Sequence, residues 1–321
     1  MPKNLYMNGA KVQTPYYNGA KVKKVFFNNV LVYSGAFEFT YTGAYTTEGD
    51  LGGNFVVRFL TSGTLTITDI GDVGSLDVFL VGGGAGGAGG YGSSSRTYRF
   101  GQGGNGGFTS TVLNVPTTNA FNIVIGAGGA GGTSRDSFYW DETTGKEGGT
   151  SSFGGYSVSG GTGIVNPSSS SSVSKGGSGG GGLVYYSEYS GQMFINNGGA
   201  SDGGDGKTIL EDGAETIYSQ GQRTTTREFG EASGTLYSGG GGGAAGRSGY
   251  YNYGGPGGGG TGTRTTGHLM DSSGATGIPP EAGQANTGGG GGGGNNGWTY
   301  QYQKNNGGNG GSGIVCIRNH R

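Results

Sequence analysis

The chain has 321 residues, 83 of them glycine, with 12% charged residues and a formal net charge of -1. Glycine at roughly a quarter of the chain, against about 7% in ordinary proteins, and a hydrophobic fraction of only 31% exclude a conventional two-domain globular protein. The charge balance argues against a nucleic-acid binder, whose affinity rests on a basic face, and leaves apolar residues for one or two thin β cores.

Residues 4–33 carry a ten-residue period. Asn8-Gly9-Ala10-Lys11-Val12 recurs as Asn18-Gly19-Ala20-Lys21-Val22 and weakly as Asn28-Asn29-Val30-Leu31-Val32, preceded by Tyr6, by Tyr16 and Tyr17, and by Phe26 and Phe27. Asn-Gly tolerates positive φ at both central turn positions, as a type I′ turn demands. Each repeat therefore reads as a small β-hairpin. Such hairpins bury little alone, so residues 1–35 read as an attachment region that docks on another chain or forms a homotrimer. Tyr6, Asn8, Gly9, Tyr17, Asn18, Gly19 and Phe27 are the candidate attachment residues. Lys3, Lys11, Lys21, Lys23 and Lys24, with no acid among them, read as a solvated face.

Residues 36–81 are the second unit. Phe37 to Tyr41, Phe55 to Leu60 and Leu65 to Thr68 alternate with period two, and Val78 to Val81 is a continuous apolar strand. No segment reads as a helix, because glycine disfavours helix interiors by about 1 kcal/mol each.

Residues 82–321 form the third unit. Ten glycine clusters lie near 82–90, 101–107, 126–132, 148–163, 176–182, 198–206, 239–246, 254–260, 288–297 and 306–313. Apolar stretches Phe108 to Val115 and Phe121 to Ile125 interrupt early, and the last cluster runs into Ile314 to Ile317. The glycine region thus starts from one strand and ends in another, which a flexible linker has no reason to do. Collagen fails, because it needs glycine every third residue with abundant proline. A calcium-binding β-helix needs a repeating nonapeptide, which Gly203-Gly204-Asp205-Gly206-Lys207-Thr208 does not supply. A bundle of polyglycine II helices remains. These share the three-residue turn of polyproline II and make no hydrogen bonds within one strand. Glycine lets neighbours approach closely enough to pair the outward amides. Ordering a residue costs roughly 1–2 kcal/mol and a hydrogen bond returns about 1 kcal/mol net, so only many tracts packed together and anchored by strands can hold. The fold class is all-β with polyglycine II helices: hairpin repeats, a small β-sandwich-like unit and a glycine-rich left-handed helix bundle.

Three segments carry a resemblance. Val78-Phe79-Leu80-Val81-Gly82-Gly83-Gly84, Arg227-Glu228-Phe229-Gly230-Glu231-Ala232-Ser233-Gly234-Thr235-Leu236-Tyr237-Ser238 and Gly310-Gly311-Ser312-Gly313-Ile314-Val315-Cys316-Ile317-Arg318 resemble the opening, middle and close of a glycine-rich domain of phage tail proteins. The Asn-Gly hairpins also occur at the start of such proteins. The polyglycine sandwich is similar to that of tail-fibre tip adhesins of T-even-type phages, although the hairpin N-terminus departs from them. The resemblance implies a virion protein of the tail or tail fibre, made in the host cytoplasm. It implies attachment to other tail or fibre proteins through the N-terminal region, and host recognition through segments joining the glycine helices.

If consecutive clusters run alternately up and down, alternate connections share one end. The first, third, fifth, seventh and ninth connections hold Tyr91, Tyr98 and Phe100; Phe138, Tyr139 and Trp140; Tyr185, Tyr186, Tyr189 and Phe194; Tyr250, Tyr251 and Tyr253; and Trp298, Tyr300 and Tyr302. The long connection from Thr261 to Thr287 holds no aromatic residue. Tyrosine and tryptophan give large rigid contact area at low entropy cost, so these residues, Phe194 excepted, are the candidate contacts for a bacterial surface protein or glycan. The alternative is that the rings pack the flanks of a structural or decoration protein of the tail. An ice-binding or extracellular polyglycine protein would instead expose flat faces of small residues.

No catalytic, metal or cofactor site is expected. The only histidines are His268 and His320, no His/Cys cluster has metal spacing, and Gly206-Lys207-Thr208 lacks the upstream glycine of a phosphate loop. Cys316, the single cysteine, reads as a buried core residue. The N-terminus lacks the apolar region of a secretory signal, and no apolar run is long enough for a membrane span.

Overall fold

The computed structural model describes residues 5–7, 10–12, 16–22, 24–28, 30–71, 73–92, 97–99, 101–135, 143–163, 183–187, 192–196, 207–209, 215–217, 226–244, 251–265, 277–295 and 305–319. Two five-stranded antiparallel sheets enclose the main core. One runs Tyr156–Val158, Ser151–Phe153, Ala120–Val124, Gly63–Asp69, Glu38–Tyr41; the other runs Thr109–Pro116, Ser75–Val81, Ile314–Asn319, Phe55–Phe59, Tyr45–Gly49. Phe55–Phe59 alternates strictly, burying Phe55, Val57 and Phe59, and Gly63–Asp69 buries Leu65 and Ile67 in the same cluster. Fully burying such side chains stabilises by about 1.5–3 kcal/mol each. Among the described residues the one named helical element is a 3₁₀ turn, Glu228–Gly230.

The continuous apolar strand has a simple cause. Leu76, Val78 and Leu80 face the core between the sheets, while Phe79 and Val81 face a second cluster with Phe229, Tyr237, Ile314 and Cys316. A strand covered on both sides has no polar face to alternate. Ser75–Val81 pairs directly with Ile314–Asn319, Val81 opposite Ile314 and Leu76 opposite Asn319, so the strand before the first glycine tract and the strand after the last are neighbours.

The sandwich draws strands from well beyond residue 81. Thr109–Pro116, Ala120–Val124, Ser151–Phe153, Tyr156–Val158 and Ile314–Asn319 all belong to it. The hairpin Ser151–Phe153 to Tyr156–Val158 lies within a stretch whose glycines, in sequence, look like one cluster. Tyr45–Gly49 has no apolar signature because it is an exposed edge strand.

Two polyglycine tracts form the centre of the bundle. In residues 82–90 the amides of Gly82, Ala85 and Ala88 donate to Phe108, Asn105 and Gln102; those of Gly83, Gly86 and Gly89 donate to Gly149, Lys146 and Thr143; those of Gly84 and Gly87 donate to Gly311 and Gly308. The carbonyls accept with the same period: Gly84, Gly87 and Gly90 from Gly129, Gly132 and Arg135; Ala85 and Ala88 from Gly291 and Gly294; Gly83 from Gly161. Every third residue thus meets the same neighbour, the repeat of a three-residue helix. Among these backbone-to-backbone bonds, the donated ones go to antiparallel tracts and the accepted ones come from parallel tracts. Residues 287–295 are likewise bonded on all sides, to tracts 82–90, 101–107, 238–244, 257–263 and 305–313 and to Glu281. No side chain fits where two such helices meet: a Cβ built on Gly84 lies 2.0 Å from the Gly289 carbonyl oxygen.

The stretch from Thr261 to Thr287 is partly bundle rather than a free connection. Glu281 donates to Thr261, Gln284 to Gly258 and Gly283 to Asn309. Gly257 and Gly258, at φ 93° and 95°, make the tight turn after Pro256 that sends the chain back alongside Gly240.

Candidate functional site

The hydrogen-bond register places the tract ends in two layers. Arg135 bonds to Gly90, Gly89 to Thr143, Ala88 to Gln102, Gly101 to Gly294, Ala244 to Gly101, Thr263 to Gly293, Glu281 to Thr261, and Asn305 to Asn295. Residues 88–90, 101–102, 135, 143, 244, 261–263, 281, 294–295 and 305 therefore lie at one level. At the other level Gly82 bonds to Phe108, Gly107 to Gly288, Gly288 to Ser312 and Gly313 to Gly126, all directly against the strands of the sandwich. One end of the bundle is welded to the sandwich. At the opposite, distal end the tracts stop, after Gly90, Arg135, Ala244, Thr263 and Asn295.

Short polar side chains close the distal layer. Ser134, buried, accepts from the Gly90 amide at 2.7 Å and donates to the Asn305 carbonyl at 2.5 Å; its own amide donates to Asn306 Oδ1 at 2.9 Å. Asn305 Nδ2 donates to Asn295 Oδ1 at 2.9 Å. Ser134 and Asn306 satisfy backbone amides where the glycine pattern stops, as capping residues do at the end of a helix, and Asn295 and Asn305 join side chain to side chain at the same level.

The connecting segments form small sheets; one leads on from Gly90, and another enters the bundle at Gly254 and Gly255, where the Gly255 amide donates to Gly240. Tyr91–Gly92, Thr97–Arg99, Leu183–Ser187 and Gln192–Asn196 pair in that order into a four-stranded antiparallel sheet. Tyr98 stands opposite Tyr186, and Tyr185 opposite Phe194. Tyr251–Tyr253 pairs with Lys207–Ile209, itself paired with Glu215–Ile217. Tyr91, Tyr98, Tyr185, Tyr186, Tyr251 and Tyr253 therefore stand on strands rather than in irregular loops, and Tyr253 is exposed. Phe100, Phe138, Tyr139, Trp140, Tyr189, Tyr250, Trp298, Tyr300 and Tyr302 lie outside the described residues. The aromatic-free segment 264–280 also leaves from the distal level, because the turn after Pro256 breaks strict alternation.

Aromatic residues at the sandwich end have another role. Phe121 and Phe153 stack in the core with centroids 4.4 Å apart, and Phe229 and Tyr237 pack on Phe79 at 6.1 and 5.5 Å. The segment around Glu228 is a clip over the outer face of the second sheet. Arg318 sits 4.3 Å from the Phe229 ring centroid and bonds to both Asp77 and Glu231. Burial holds the Cys316 thiol and the Tyr237 phenol protonated, each well above its usual range.

Residues 60–320 match the model of a family described as a glycine-rich domain. The chain belongs to that family. No curated protein gave a match. The glycine-rich domain thus includes both five-stranded sheets' central strands and the bundle, from Leu60 to the closing strand. Among its described residues no helix is long and apolar enough to cross a membrane, and no three His, Cys, Asp or Glu side chains converge as metal ligands would.

Three hairpins precede the domain: Leu5–Met7 with Ala10–Val12, Tyr16–Tyr17 with Ala20–Lys21, and Lys24–Phe27 with Val30–Ser34. Asn18 and Gly19, at φ 50° and 80°, make the primed turn their sequence requires. Tyr6 stands opposite Lys11 in the first. Tyr17 is 73% and Phe27 68% exposed, far more than a packed hairpin would leave; Asn8 and Gly9 lie outside the described residues. Sequence reasoning overlooked Ser134, Asn295 and Asn305, whose signal is a polar residue at the point where a glycine run ends.

Proposed function

We propose that this protein is a phage tail-fibre adhesin that binds a bacterial surface protein or glycan at the distal end of the polyglycine bundle, without catalysis. The observation that carries this reading is the common level of the tract ends. The aromatic-rich segments that follow Gly90, Arg135, Ala244 and Asn295 all leave from one end of a scaffold whose described tracts are hydrogen-bonded to one another. A rigid base with aromatic contact groups on one end loses little entropy on binding. The N-terminal hairpins, with aromatic residues bared to solvent, join the adhesin to other tail or fibre proteins or to further copies of itself as a trimer.

Purified protein added to bacterial cells tests the reading. Binding to cells and blocking of phage adsorption support it, with Trp140→Ala or Trp298→Ala reducing both while the thermal unfolding midpoint stays put. A protein that binds no cells and blocks no phage is instead a spacer or decoration of the tail.

A further inference from the structure

The outer face of the second sheet carries an apolar patch. Phe79 stands opposite Cys316 and Val81 opposite Ile314 on the paired strands Ser75–Val81 and Ile314–Asn319, and all four are buried. Among the described residues, Phe229 and Tyr237 of the clip, residues 226–237, pack on this patch, with Val56 and Leu60 beside it. The clip is a self-contained unit. Its amides at Glu228, Gly230, Glu231, Gly234 and Tyr237 donate to Thr235, Arg227, Glu228, Glu231 and Thr226, all within the clip. Among the described residues, side chains make its attachment to the sheet. These are the Arg58–Glu228 fork, the Arg318–Glu231 bond, the Arg318 guanidinium over the Phe229 ring, and the Phe229 and Tyr237 rings on Phe79.

The seated clip also holds two unfavourable groups. Phe229 has φ 56° and ψ 17°, the left-handed region that a bulky side chain rarely adopts. Thr226 is fully buried, and its hydroxyl has no hydrogen-bond partner. Lifting the clip relieves both, because Phe229 can relax to an ordinary conformation and water reaches the Thr226 hydroxyl.

We propose that the clip is a strap that opens as a unit while the sandwich stays folded, baring Phe79, Val81, Ile314 and Cys316. Proteins open in cooperative pieces, each at a cost set by the contacts that piece makes. Here no backbone ladder joins the piece to the sheet. Charged and aromatic side chains hold it down against strain that it carries itself. Glu231, Ser233 and Thr235 are exposed on top of the strap, and the patch beneath it is apolar. The same face of the sheet therefore has a polar surface with the strap seated and an apolar one with it lifted.

Cys316 is the single cysteine of the chain and lies under the strap, so its labelling reports the opening. The full chain is reacted with a maleimide in water and in low urea, and the rate is compared with that of global unfolding followed by fluorescence. Wild-type labelling is expected to outpace global unfolding by about tenfold or more and to change little with urea, since lifting the strap exposes little surface. Glu228→Gln, which breaks the fork, is expected to label about tenfold faster. Thr226→Val keeps the shape, removes the stranded hydroxyl and is expected to label about threefold slower. Opposite shifts from two buried positions of one strap are not what a general loosening of the core produces. An intact cooperative thermal transition shows that each variant is folded. Labelling that follows global unfolding in rate and in urea dependence, in the wild type and both variants, overturns the proposal. So does a Thr226→Val variant that labels as fast as the wild type.

Discussion

Arg58 and Glu228, 170 residues apart, meet fork to fork: Nε donates to Oε1 at 2.6 Å and an Nη to Oε2 at 2.7 Å. The pair pins the Glu228–Gly230 clip, which follows the long stretch 164–225, to the Phe55–Phe59 strand near the start of the domain. Glu228 is buried, whereas Arg58 keeps 21% of its side chain exposed and also bonds to Glu48. The neighbouring carboxylates push the Arg58 pKa further up.

Removing one partner leaves the other charge buried without its match, a cost of about 3–5 kcal/mol for a fully buried pair. Partial exposure of Arg58 lowers that, so Glu228→Gln is expected to destabilise by about 2 kcal/mol in denaturant unfolding. Glu48→Gln, on the exposed side of the same guanidinium, is expected to cost well under 1 kcal/mol. Equal losses for the two would mean that the clip is not held through Glu228.

The bundle makes a position-specific prediction. A methyl on Gly84 or Gly87 meets a backbone carbonyl oxygen at 2.0 or 2.1 Å, where nothing flexible can move aside. Ala127 and Ala130, on tract 126–135, face solvent. Gly84→Ala and Gly87→Ala are expected to abolish folding or lower the thermal midpoint by more than 10 °C, whereas Ala127→Ser and Ala130→Ser shift it by less than about 2 °C. Amide exchange should be slowest at Ala85, Ala88, Gly291 and Gly294, which bond between the two central tracts and their neighbours.

That contrast also explains what the sequence shows and conceals. Runs such as residues 288–294 announce a central tract because all sides are crowded. An edge tract needs glycine only where it faces inward. Residues 281–284 bury Gly283 alone, with Glu281, Ala282 and Gln284 exposed, so this tract looks like an ordinary polar connection. The Asn-Gly hairpin and the paired strands Ser75–Val81 and Ile314–Asn319 are legible because turn chemistry and apolar runs are local signals. Which tract neighbours which is not, because identical glycines carry no register. Only the capping side chains at Ser134, Asn295 and Asn305 mark where the tracts align.

Edge tracts raise a second issue. Like an edge strand, they present open backbone amides that a second copy could pair with. Asn306 Oδ1 accepts from the Ser134 amide and Asn309 Oδ1 from the Gly131 amide, both at 2.9 Å, so two exposed asparagines three residues apart occupy successive sites on the neighbouring tract. The double variant Asn306→Ala, Asn309→Ala is expected to lose about 1–2 kcal/mol of stability and to associate laterally as concentration rises, read by sedimentation. A variant that stays at the wild-type oligomeric state at all concentrations would show that these amides serve stability alone.

Tyr41 supplies a pH test. Its hydroxyl donates to the Thr61 carbonyl at 2.5 Å and its ring packs on Phe59, with centroids 4.6 Å apart. Burial pushes its pKa from 10.0 up to about 12. The folded state thus favours the neutral phenol. Its contribution is fully present below the unfolded pKa of 10.0 and is lost as pH rises toward 12. Wild-type stability, measured by denaturant unfolding at pH 9, 10 and 11, is expected to fall across that window. In Tyr41→Phe the starting stability is lower, because the hydrogen bond is gone, but the fall is shallower. The slope that remains belongs to Tyr237 and Cys316, which burial also holds in their neutral forms. An identical slope in the two proteins would mean that Tyr41 ionises as freely in the fold as in the unfolded chain.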